Sequence, residues 1–166
     1  MLSKQIESAL NEQIKKEAFA ANAYLAMGSW CDVHSLKGAQ AFYYEQSAEE
    51  REHMMKIINY VNEQGGQAMV SEIKAPQKDF ESIEEIVNKS LQQEQDVTKS
   101  IYHIVDLCLA EKDHGTFNFL QWFVAEQQEE EALFRALQEK IRMVNNEGGQ
   151  LLILDNEFSK LKLKLS

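Results

Sequence analysis

The chain has 166 residues, 44 % of them hydrophobic, which suits one domain with a sizeable core. A formal net charge of −10 argues against a nucleic-acid footprint. No run approaches the roughly eighteen apolar residues of a membrane span, and the N-terminus lacks the apolar stretch of a secretory signal. The expectation is a cytoplasmic protein with neither nucleic acid nor membrane as partner. Its two cysteines, Cys31 and Cys108, sit among apolar neighbours at helical spacing and read as reduced core fillers. One proline and seven glycines leave few breaks in a chain rich in Ala, Leu, Glu, Lys and Gln, so the fold should be all-α.

The first helix is predicted over residues 4–33. Its inner stripe runs Ile6, Leu10, Ile14 (or Gln13), Glu17, Ala21, Tyr24, Gly28, Cys31. A short turn from His34 to Gly38, with Gly38 as the stop, leads into a second helix over 38–64. Phe42, Gln46, Glu50, His53, Ile57, Tyr60 and Val61 form its stripe, and so short a turn makes the two helices antiparallel neighbours. Gly65 and Gly66 end it. The following stretch holds Pro76 and the alternating Met69-Val70-Ser71-Glu72-Ile73, and reads as a partly extended crossover running the length of the bundle.

Ser82-Ile83-Glu84-Glu85 fits a capping box that opens a third helix over 82–111, with the stripe Ile83, Val87, Leu91, Glu94, Thr98, Ile101, Val105, Cys108. After a turn at Asp113-His114-Gly115, a fourth helix over 115–146 carries Phe119, Phe123, Gln127, Glu130, Phe134, Leu137, Ile141 and Val144. Gly148-Gly149 is expected to end it. A short fifth helix over 150–160, with Leu151 to Leu154 and Phe158, is too short to stand alone and needs something to pack on. The basic tail from Lys160 to Lys164 reads as a solvated end.

Each of the four long stripes is broken near its middle by an acid: Glu17, Glu50 with His53, Glu94 and Glu130. Buried carboxylates that converge repel one another unless a cation lies between them. Glu50-Arg51-Glu52-His53 is an E-x-x-H, whose i and i+3 side chains share a helix face and can grip one ion. By itself that motif is weak. Lying on an apolar stripe gives it weight. One Glu from each of two helices, joined to an E-x-x-H, is the di-iron carboxylate pattern of a four-helix bundle. Oxygen-rich ligation with one imidazole suits iron or manganese better than structural zinc.

Over essentially its whole length the sequence resembles the bacterial non-haem ferritins, crossover and fifth helix included. The resemblance implies a ferritin-like four-helix bundle with a long crossover between the second and third helices and a short C-terminal helix. It implies an iron-storage protein that is also a ferroxidase, oxidising Fe(II) with O2 or H2O2. The product would be kept as a ferric oxy-hydroxide mineral in a hollow shell of twenty-four copies. By the same likeness Glu17, Glu50 and His53 hold one iron. A bridging Glu50 with Glu94 and Glu130 holds the second, and Gln127 is the amide beside the pair. A third, more exposed iron site would use Glu49, Glu126, Glu129 and Glu130. Taken by itself, the run from Glu126 to Glu131 reads as a solvated helix face. Tyr24 and Trp122 read by themselves as core or as site, and the likeness makes Tyr24 a redox-active neighbour of the irons.

Haem-carrying bacterioferritins have a second E-x-x-H on the fourth helix and a methionine after the second helix's glutamate. Here Gln127 and Glu130 stand on the fourth helix and Arg51 follows Glu50, so no haem is expected. The DNA-protecting mini-ferritins lack a fifth helix. The alternative is a rubrerythrin-like di-iron peroxidase without storage. Such proteins usually carry a C-x-x-C pair, which this chain lacks.

Overall fold

The computed structural model describes residues 2–144 and 148–165, with the side chains of 148 and 162–165 outside the description. Five helices follow in order: α1 Lys4–Val33, α2 Lys37–Glu63, α3 Ile83–Glu111, α4 His114–Met143 and α5 Gly148–Leu165. No strand occurs among the described residues.

The helix starts are written locally. Ser3 caps α1 by accepting from the Ile6 N–H at 3.1 Å. Ser82 caps α3 by accepting from the Glu85 N–H at 3.1 Å, and the Glu85 carboxylate turns back to the Glu81 N–H at 2.6 Å. Asp113 is the N-cap of α4, accepting from the Thr116 N–H at 3.0 Å, so His114 and Gly115 belong to the helix rather than to the turn.

Helix α2 is the exception. Its N-cap, Leu36, has no capping side chain. The missing acceptor comes from α5: the Asp155 carboxylate accepts from the Gly38 N–H at 2.9 Å and the Ala39 N–H at 2.8 Å. Gly38 therefore lies inside the first turn of α2 and is not a stop. A Cβ there would run into the Asp155 carbonyl of α5. The turn's left-handed residue is Ser35, at φ 61°.

The long connection spans the bundle as expected. Near its start the Asn11 side chain brackets it, accepting from the Met69 N–H at 2.7 Å and donating to the Gln67 carbonyl at 3.1 Å. Near its end Phe80 meets Trp30 edge-on, 6.2 Å between centroids. The crossover thus starts beside the first turns of α1 and finishes beside the last. It makes α2 and α3 parallel, each antiparallel to α1, while α4 runs with α1.

Two apolar clusters fill the bundle. One gathers Tyr24, Phe42, Tyr43, Ile86, Leu91, Phe134 and Leu137 with Leu154 and Phe158 of α5. The other holds Ile6, Leu10, Ile57, Val61, Ile101, Ile104, Leu120 and Phe123. Between them lies a polar layer. On the stripes, Ala20 and Ile104 are buried where Ala21 and Val105 were expected, and those two are half-buried. Gly148 begins α5 instead of ending α4, and α5 extends past residue 160. Residues 145 and 146, placed on the fourth helix by its pattern, fall outside the described residues, as do the side chains of Lys162 and Lys164 in the basic tail.

Candidate metal centre

The polar layer is made by the interrupted stripes. Glu17, Glu50, His53, Glu94, Gln127 and Glu130 are all buried. Among the described residues no Lys or Arg is buried with them, so no protein cation neutralises the layer. Ligand atoms of Glu17, Glu50 and His53 lie within 4.8 Å of one another. His53 Nδ1 is 3.5 Å from Glu50 Oε2, as the i,i+3 spacing predicts. Its Nε2 is 4.0 Å from Glu126 Oε1.

The electrostatics are those of a self-repelling acid cluster. Burial pushes Glu50 well above the usual carboxylate range, and the charges of Glu94, Glu17 and Glu130 push it further. Glu130 rises to about 8, first through burial and then through Glu94. Glu94 rises to about 7 through burial, opposed by hydrogen bonds from Tyr24 and Gln127. Burial lowers His53, favouring the neutral imidazole that can bind a metal.

Glu94 and Glu130 are held by neighbours rather than gathered into the tight group. The Tyr24 hydroxyl donates to Glu94 Oε1, and Gln127 Nε2 donates to Glu94 Oε2 at 3.1 Å. Gln46 Nε2 donates to Glu130 Oε2 at 2.8 Å, and Gln13 Nε2 to Glu17 Oε1 at 2.7 Å. Glu17 Oε2 and Glu50 Oε1 are buried without a hydrogen-bond partner among the described residues. Two buried carboxylates with partnerless oxygens, gathered with a neutral imidazole, are the donor set of a divalent transition metal with oxygen preference.

The suggested third group is looser. Burial, then Glu126, raises Glu49 to about 7, while Glu126 is half-buried beside His53. Glu129 is exposed, and the Glu130 carboxylate is turned to Gln46. Trp122 is not core: it is 40 % exposed, edge-on to His53 at 5.3 Å, with the Lys56 ammonium 4.0 Å from the centre of its ring.

Sequence reasoning did not assign site roles to Gln13, Gln46, Thr98 or Glu131. Gln13, Gln46 and Glu131 stand four residues from Glu17, Glu50 and Gln127, and that i,i+4 spacing was the available signal.

A family model described as the ferritin-like domain matches residues 7–144. The bacterial non-heme ferritin of Campylobacter jejuni is 45% identical over 163 residues, 98% of each chain. That of Staphylococcus epidermidis is 42% identical over 159 residues, 96% of each. Among solved structures, an open pore ferritin from the archaeon Archaeoglobus fulgidus superposes with a TM-score of 0.93 at 38% identity, covering 96% of this chain and 98% of that one. Chlorobium tepidum ferritin gives 0.86 at 41% identity, covering 95% and 96%.

Proposed function

The chain belongs to the ferritin-like family, and on that premise we propose how its buried acid layer handles iron. It is an iron-storage ferritin, and the chemistry assigned to the layer is ferroxidation. The observation that carries this is the meeting of Glu17, Glu50 and His53, with two partnerless carboxylate oxygens and, among the described residues, no buried Lys or Arg.

Iron is the substrate. One Fe(II) binds at Glu17, Glu50 and His53. A second binds at Glu94 and Glu130, with Glu50 shared between them and Gln127 alongside. Each Fe(II) gives up one electron, and O2 or H2O2 accepts the pair. Binding expels the protons held by Glu50, Glu94 and Glu130, so charge enters the layer only as metal does. Tyr24, whose hydroxyl donates to Glu94, is read as the redox-active neighbour of the pair. Glu49 and Glu126, with Glu129 and Glu130, form the looser third station on the way to storage.

The container is a closed homo-oligomer, proposed as twenty-four copies of this one domain (residues 1–166) in the cytoplasm. Among the described residues no helix is long and apolar enough to cross a membrane.

The test is aerobic Fe(II) loading followed by size-exclusion chromatography with iron detection. Many irons per chain in a particle of roughly half a megadalton is the expected result. A small species that stops at two irons and turns over peroxide would replace storage with the peroxidase alternative.

A further inference from the structure

Behind Glu94 runs a line of hydrogen bonds with a fixed direction. Glu94 and Thr98 are one turn apart on α3, while Gln127, Glu131 and Arg135 follow at four-residue steps on α4. Gln127 Nε2 lies 3.1 Å from Glu94 Oε2, 3.2 Å from the Glu94 carbonyl and 3.4 Å from Thr98 Oγ1. Thr98 has one hydroxyl hydrogen and two acceptors for it: the Glu94 carbonyl at 2.9 Å and Glu131 Oε1 at 2.7 Å. The shorter contact goes to a carboxylate, the stronger acceptor. Arg135 Nη1 holds the other Glu131 oxygen at 2.7 Å.

The order therefore runs Gln127 N–H to Thr98 O–H to Glu131, with Arg135 closing the far end. Because Thr98 spends its hydrogen on Glu131, it presents only lone pairs to Gln127. An overturned amide would set its oxygen against the Thr98 lone pairs, the Glu94 carboxylate and the Glu94 carbonyl. Without Glu131, the Thr98 hydrogen is divided between the Glu94 carbonyl and Gln127; whenever it turns to Gln127 it accommodates the overturned amide, and Glu94 loses its donor.

We propose that Thr98, Glu131 and Arg135 form a positioning device that fixes the Gln127 amide with its nitrogen on Glu94, and thereby sets how firmly the Glu94 half of the centre holds iron. This rests on the di-iron reading above. None of the three residues is a ligand in that reading; they act through Gln127.

The test is anaerobic Fe(II) titration of the assembled protein by calorimetry, with stopped-flow oxidation as a second readout. Thr98→Val keeps the side chain's shape and the local charge but removes the hydroxyl. It is expected to weaken the second Fe(II) about three- to tenfold, the loss of one well-placed hydrogen bond, leaving the first unchanged. Glu131→Gln should do the same. Its lost charge also repels less, or attracts a cation less, so Thr98→Val is the deciding variant. Thr98→Ser should restore wild-type binding, and Glu139→Gln, elsewhere on α4, should change nothing.

Wild-type binding by Thr98→Val overturns the proposal. So does equal weakening of both steps, which marks a softened α3–α4 contact, or failure of Thr98→Ser to rescue. If the wild type itself takes up fewer than two Fe(II), the di-iron reading falls and the positioning role falls with it.

Discussion

Glu50 shows most sharply the conflict between stability and function. It is buried, one of its oxygens has no hydrogen-bond partner among the described residues, and the charges that act on it are those of other acids. Glu50→Gln should therefore raise the melting temperature of the metal-free protein while slowing the fast phase of Fe(II) oxidation by more than about tenfold. Calorimetry and stopped-flow absorbance read the two effects, and a variant that melts lower would mean that the carboxylate has a partner in solution. Glu94 and Glu130 give the pH dependence. Their folded-state values, about 7 and about 8, lie above the ordinary 4.5, so between these limits the folded chain holds more protons than the unfolded one. Their contribution is present below about pH 4.5 and is lost as pH rises through about 8. The metal-free protein should lose stability across that window, while the rise in melting temperature on adding Fe(II) anaerobically should grow. A metal-induced rise that is flat with pH would detach these two acids from the ion. The acids were legible in the sequence because each interrupts an apolar stripe. The roles of the amides that aim them were less so: Gln13 and Gln46 fell on or beside the inner stripes, but an amide there also reads as a tolerated core position, and the partner of Gln46, Glu130, comes from another helix.

At the scale of elements, α1 to α4 could be read from periodicity, and the start of α3 from its cap, both of which depend on residues three or four apart. The join between α2 and α5 could not. Gly38 reads as a helix stop by local rules, but its small size answers a carbonyl that arrives from 117 positions along the chain. The Asp155 carboxylate replaces the cap that Leu36 cannot supply. Asp155→Ala is expected to cost about 1 kcal/mol, as loss of a helix cap does, and to speed hydrogen exchange throughout α5. Gly38→Ala should speed the same amides through a clash rather than a lost bond. Unchanged exchange in both variants would show that Leu154 and Phe158 hold α5 by themselves.

The whole molecule leaves work for its copies. On α5, Leu152 and Ile153 stay 67% and 57% exposed while Leu154 and Phe158 on the opposite side are buried. Replacing both exposed residues with Asp should leave the helical content unchanged and shift sedimentation toward smaller species; an intact particle would locate the main contacts elsewhere. The polar layer has a different consequence. It divides the interior into two apolar clusters, one shared with α5 and one at the opposite end of the bundle. Without metal, the layer escapes repulsion only while its acids hold protons, so as pH rises through about 7 to 8 it should couple the two ends poorly, and the bundle is expected to melt as two cooperative units strung on continuous helices. Loaded as proposed above, it would become a rivet. Iron would then not only pass through the subunit but join its halves, and the degree to which the bundle unfolds as one piece would report whether its cargo has arrived.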